Sequence, residues 1–189
     1  GQKTASFEIV DQLGQAPDFH FLPVGNAGNI TAYWKGYKEY HDIGLSSSKP
    51  RMFGFQAANS APIVDGSPIE NPQTLATAIR IGNPASWVGA TNAVKESNGH
   101  IGKVTDDEIL IAYKQLAKTE GIFAEPACAA PLAGLKHCML NEKIPEGSKI
   151  VVTLTGHGLK DPDTAISEAG FTPTIVAPEL GAVKQIIGL

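Results

Sequence analysis

Two short glycine-bearing turns hold the residues of this sequence best suited to chemistry. The first is Val24-Gly25-Asn26-Ala27-Gly28-Asn29-Ile30. Glycines three apart let a chain turn without Cβ clashes, so that successive backbone N–H groups converge. An apolar strand over 19–24 and a helix from 30 to 40 flank the turn. The helix adds its unpaired N–H groups and the positive end of its dipole. Asn26 and Asn29 offer side-chain amides. Such a cradle holds a phosphate without a cation. No Lys-Ser/Thr pair follows, as a nucleoside-triphosphate loop requires. The third glycine and the distal acidic residue of a dinucleotide fingerprint are also missing. A compact phosphomonoester is the expected ligand, and an ordinary βα turn is the alternative.

The second turn, Thr155-Gly156-His157-Gly158, ends the β-branched run 149–154. Two turns that both end strands of one parallel sheet share its carboxyl edge, where α/β ligands bind. There the Thr155 hydroxyl could hydrogen-bond a ligand ring nitrogen, whereas alone the motif reads as a turn with a satisfied threonine. Other motifs are set aside. Ser46-x-x-Lys49 lies in a loop before Pro50, and a serine-hydrolase Ser-x-x-Lys belongs on a helix. Asn29-Ile30-Thr31 is a formal glycosylation sequon at a helix start, without a secretion signal. His20, His41, His100, His137 and His157 lack metal-ligand spacing, and His157 reads as a solvated turn residue. Cys128 and Cys138, ten residues apart on one expected helix, would sit about 15 Å apart, too far for a disulfide. They read as core thiols in a reducing cytoplasm.

The elements that must position these turns alternate. Helices are expected over 2–13, 30–40, 73–81, 84–97, 105–120 and 127–140, and strands over 19–24, 52–56, 101–104 and 149–154, before a proline-punctuated tail with one short helix. Thr105-Asp106-Asp107-Glu108 is a capping box. Tyr33, Trp34, Tyr37 and Tyr40 recur at helical spacing as a core or interface face. The run 149–154 is apolar on both faces, as in a covered parallel strand. The fold expected is α/β, a parallel-sheet layered domain with helices on both faces. With 189 residues, one domain spanning 1–189 is expected. A net charge of −4 gives no case for nucleic acid or an anionic membrane. No apolar run reaches the roughly 20 residues of a bilayer span. The chain lacks an initiator Met and enters helix at once, so it is expected to be a piece of a longer protein.

In this order, four segments resemble the threonine synthase family of fold-type-II pyridoxal-phosphate enzymes. They are Glu8-Ile9-Val10-Asp11-Gln12-Leu13-Gly14, Leu22-Pro23-Val24-Gly25-Asn26-Ala27-Gly28-Asn29-Ile30-Thr31-Ala32, Phe123-Ala124-Glu125-Pro126-Ala127-Cys128-Ala129-Ala130 and Thr153-Leu154-Thr155-Gly156-His157-Gly158-Leu159-Lys160-Asp161-Pro162. The resemblance implies part of a fold-type-II large domain, with pyridoxal 5'-phosphate as cofactor. Gly25, Asn26, Ala27, Gly28 and Asn29 would hold the cofactor phosphate, and Thr155 would meet the pyridine nitrogen. A neutral hydroxyl there suits elimination and replacement more than transamination. The implied reaction takes O-phosphohomoserine and water to threonine and phosphate, in a cytoplasmic enzyme that is a homodimer when full length. The family's Schiff-base lysine lies in a Ser-Phe-Lys-Asp-type segment, and no lysine of this chain has that context. The chain is therefore expected to be the C-terminal part, without a catalytic residue of its own and inactive alone. Another fold-type-II elimination enzyme, such as a threonine dehydratase, and a non-catalytic module binding a phosphorylated small molecule are the alternatives.

Overall fold

The computed structural model describes residues 1–141, 143–170 and 174–189. In chain order the elements begin with α1 (Thr4–Leu13), β1 (Phe19–Pro23), α2 (Gly28–Asp42), β2 (Arg51–Ala57), α3 (Pro62–Asp65) and α4 (Trp87–Glu96). There follow β3 (His100–Val104), α5 (Asp106–Glu120), α6 (Ala130–Leu140), β4 (Ile150–Val152), α7 (Pro162–Glu168) and α8 (Leu180–Ile187). The strands form one parallel sheet in the order β3-β2-β1-β4. No helix among the described residues is long and apolar enough to cross a membrane.

Strand alternation builds a core on each face of the sheet. Phe19 and Phe21 of β1 and Phe53, Phe55 and Ala57 of β2 point to one side, where they meet Ile109 and Tyr113 of α5 and Ala133 of α6. Leu22 and Met52 point to the other side, against Val10, Ile30, Trp34, Tyr37 and Ala90 of α1, α2 and α4. Phe21 and Phe53 are 0% and 1% exposed, and burying each side chain contributes roughly 2–3 kcal/mol against exposure. Helices thus cover both faces, as the alternating pattern predicts.

Several elements depart from expectation. No α-helix forms over 73–81, where only residues 77–79 wind into a 3-10 turn. The polar groups here are tied elsewhere: Gln73 N–H donates to Asn59 O and Leu75 N–H to the Asp106 carboxylate. Gly82 is a glycine because a Cβ would fall 1.9 Å from Ile69 O, not because it stops a helix. The helix expected from 84 starts only at Trp87, and the N–H groups of Ala85 and Ser86 ahead of it donate to Asn26 Oδ1 and O. The helix expected over 127–140 is split into a 3-10 turn over 126–129 followed by α6. Pro131 has no N–H for the turn before it, so a continuous α-helix cannot pass through. β4 is shorter than 149–154 and only half-buried, since it pairs with β1 alone at the sheet edge. The tail carries two helices, α7 and α8, where one was expected.

Other expectations hold. The capping box is complete, with Glu108 N–H donating to Thr105 Oγ1 and Thr105 N–H to Glu108 Oε2. Gly14 and Gly121 end α1 and α5 in the left-handed conformation. Cys128 and Cys138 are free and buried. Ser46 Oγ accepts from Ala16 N–H and donates to Ser48 O, a loop brace rather than a nucleophile.

Candidate functional site

Both glycine turns leave the same edge of the sheet, one from β1 and the other two residues after β4, its parallel neighbour. They line one cavity of about 470 Å³, within the range of small-molecule sites. Gly25, Asn26, Ala27, Gly28, Asn29 and Thr155 all lie on its wall. Sequence reasoning missed Gln2, Tyr33, Ala78, Ile79 and Thr153, which line it too. Thr153 could have been found, because side chains two apart on an extended chain share a face. Ala78 and Ile79 arrive from the segment expected to be helical, and no local signal announces them.

The first turn presents donors that none of the described residues uses. Among the described residues the N–H groups of Gly25, Asn26 and Ala27 have no acceptor. The N–H groups of Gly28 and Asn29 open α2, where no intrahelical acceptor exists. Asn26 Oδ1 accepts from Ala85 N–H at 2.7 Å, which holds its amide group at the cavity wall as a donor. Asn29 is more committed than its type suggests. Its Nδ2 donates to Pro23 O at 2.7 Å and its Oδ1 accepts from Ile30 N–H, so its side chain mainly braces the loop. The left-handed residue of the turn is Ala27, with φ of 63°, and neither glycine takes positive φ. The Ala27 methyl is 1% exposed and packs into the core under α2.

The glycines serve space. A Cβ on Gly25 would lie 2.9 Å from Ala78 O and 3.0 Å from Ile79 Cα, so the opposite cavity wall sets that residue. A Cβ on Gly28 would meet only Gln2 Oε1 at 3.4 Å and Ser86 Oγ at 4.0 Å. Among the described residues nothing forbids a side chain there, and Gly28 lies on the cavity wall beside the other free N–H groups. Among the described residues no charged side chain, and no lysine, lines the cavity. The residues present therefore fit an ester phosphate held by dipoles alone. No cluster of metal-ligating residues occurs among the described residues.

At the other wall, Thr155 is exposed and its Oγ1 stands 3.8 Å from Cys128 Sγ, a loose contact that leaves the hydroxyl available. Cys128 Sγ in turn accepts from Gly156 N–H at 3.2 Å. Burial pushes the Cys128 thiol up, ahead of the opposing hydrogen bonds from Gly156 and Thr155, so it stays a neutral brace. Glu125, 4% exposed, pairs with Lys160 at 3.0 Å beneath the turn, and Gly156 leaves room for that carboxylate. His157 is exposed, and its Nδ1 accepts from Leu159 N–H.

Residues 1–156 match the family described as pyridoxal-phosphate dependent enzyme. A threonine synthase of Synechocystis is 59% identical over 189 residues, which is all of this chain and 49% of that protein. One from Mycobacterium tuberculosis is 55% identical over 190 residues, all of this chain and 52% of that protein. The chain thus spans about half the length of the curated relatives it matches. Among solved structures, threonine deaminase isoform 2 of Solanum lycopersicum superposes with a TM-score of 0.69 at 20% identity. That match covers 90% of this chain and 46% of the deaminase, and shows a shared fold.

Proposed function

Since the chain belongs to the family of pyridoxal-phosphate dependent enzymes, we propose that it is the C-terminal part of a threonine synthase. The proposed substrate is O-phosphohomoserine, which reacts with water to give threonine and phosphate. The observation that carries the site assignment is the meeting of the Gly25–Asn29 cradle and Thr155 across one cavity. The specific activity rests on identities of 47–59% to threonine synthases over the length of this chain.

In this reading the N–H groups of residues 25–29 and the Asn26 amide grip the cofactor's ester phosphate. The start of α2 adds its positive dipole end, so a dianion is held without lysine or arginine. The Thr155 hydroxyl donates to the ring nitrogen. It cannot pass that nitrogen a full proton, as a carboxylic acid would. When bound, the cofactor supplies the sink for electrons released at the substrate's carbons. The wall, uncharged among the described residues, leaves the strong charges in the cavity to its ligands. In this reading the lysine that anchors the cofactor covalently comes from outside this chain, since among the described residues none lines the cavity. The proposal extends to a homodimer for the complete enzyme, supported by the apolar side chains of Leu180, Val183 and Ile186 left exposed on α8.

The test is to supply O-phosphohomoserine to the full-length protein and measure phosphate and threonine together. Equal amounts of both are expected. Deamination of threonine without phosphate release would replace the assignment with a dehydratase. Binding of pyridoxal phosphate with no turnover of either compound would favour a non-catalytic module.

A further inference from the structure

A buried polar chain underlies the cavity, and the proposed function does not use it. His20 of β1 is 0% exposed, and its ring stacks on Tyr33, a cavity residue, with centroids 5.4 Å apart and planes 13° apart. Its Nδ1 lies 3.0 Å from the Tyr37 hydroxyl and its Nε2 lies 2.6 Å from Thr153 Oγ1. Burial takes the imidazole down to about 3, so the ring is neutral and carries one N–H. It must donate on one side and accept on the other.

Tyr37 decides which. It is 1% exposed, and among the described residues its hydroxyl has no partner except His20 Nδ1. If Nδ1 carried the proton, the buried phenol proton would have no acceptor, an arrangement folded proteins avoid. The phenol therefore donates to Nδ1, and the ring proton sits on Nε2 and goes to Thr153 Oγ1. The Thr153 oxygen is then already an acceptor. Its own proton has no other acceptor among the described residues, and Thr153 lines the cavity.

We propose that His20 is a positioning residue that, with Tyr37 behind it, turns the Thr153 hydroxyl into a hydrogen-bond donor aimed into the cavity. The ligand atom it meets is an acceptor, such as an ester oxygen or an unprotonated ring nitrogen. The inference rests on the cavity being the cofactor site. Thr153 and Thr155, two apart, then form a pair of hydroxyls on one wall.

The orientation is read directly from a long-range proton–nitrogen correlation spectrum of the full-length protein labelled in histidine. The His20 ring is identified by the signals lost in the His20→Phe, Tyr37→Phe protein. A proton on Nε2 is expected, and a proton on Nδ1 overturns the inference. Pyridoxal phosphate titrations supply the second readout. Thr153→Val is expected to weaken binding about tenfold and Thr153→Ser to keep it. Removing the polar pair together (His20→Phe with Tyr37→Phe) should weaken binding by a similar factor. Combined with Thr153→Val, that pair should add no further loss, because it acts only through Thr153. Additive losses would show a merely structural role and overturn the inference. An Nε2 proton in a protein that binds no pyridoxal phosphate would count against the cofactor reading and leave the hydroxyl's direction intact.

Discussion

Replacing Gly28 with alanine separates the needs of the fold from those of the ligand. The residue opens α2 without positive φ, and its added Cβ would make only contacts of 3.4 Å and 4.0 Å. Alanine is the better helix former by up to about 1 kcal/mol, so without ligand Gly28→Ala should match the parent's stability or exceed it by that much. The ligand meets a different situation. Gly28 lies on the cavity wall, and in the proposed site its methyl group would crowd a phosphate held by the N–H groups of residues 25–29. Forcing one extra methyl into a filled site costs about 1–3 kcal/mol, which corresponds to roughly 5- to 150-fold weaker binding. Pyridoxal phosphate titration of the full-length protein, followed by absorbance, measures this, with thermal unfolding of the unliganded protein in parallel. Gly25→Ala supplies the contrast. Its Cβ would press on backbone at 2.9 Å and 3.0 Å, so stability should fall by about 1–3 kcal/mol with or without ligand. Unchanged affinity in Gly28→Ala, or lost stability in the absence of ligand, would refute the reasoning.

Thr155→Val removes an exposed hydroxyl and should leave the melting temperature within about a degree or two, while weakening cofactor binding about tenfold. His20 gives the protein an acid-sensitive stability. Its folded value lies near 3 against 6.5 unfolded, so the unfolded chain holds the extra proton between those values. Stability present above about pH 6.5 should fall by up to about 1.4 kcal/mol per pH unit as the pH drops toward 3. Urea unfolding across that range checks it, and the His20→Phe, Tyr37→Phe pair should flatten the slope. Thr105→Ala breaks the capping box of α5 and should cost about 1 kcal/mol in the same assay, while Thr105→Ser should cost little.

Signals that depend on neighbouring residues were legible in the sequence. The capping box at Thr105, the stops at Gly14 and Gly121 and the apolar run of β1 all act over a few residues, and the structure shows each. The two turns were also visible, because each ends an apolar strand with glycines and the first leads straight into a helix. What stayed hidden depends on distant partners. Residues 73–81 were expected as a helix, yet Gln73 and Leu75 are tied to Asn59 and Asp106, and Ala78 and Ile79 lie on the cavity wall. Asn26 likewise holds the N–H groups of Ala85 and Ser86 just ahead of α4. Burial of β4 was overestimated, since composition records apolarity and not position in the sheet order. His20 reads as one histidine among five until the fold sets Tyr37 and Thr153 on its two nitrogens.

The left-handed Ala27 bears on how fast a ligand is held, as well as how tightly. An alanine in that conformation is disfavoured by about 1–2 kcal/mol, and here the buried methyl keeps it there. The N–H groups on either side are thus preorganised before any phosphate arrives, and little loop entropy remains to be lost on association. Glycine at position 27 would relax the backbone and loosen that arrangement. The apo protein would gain freedom, and capture of the anion would become slower and weaker without a single direct contact having been removed.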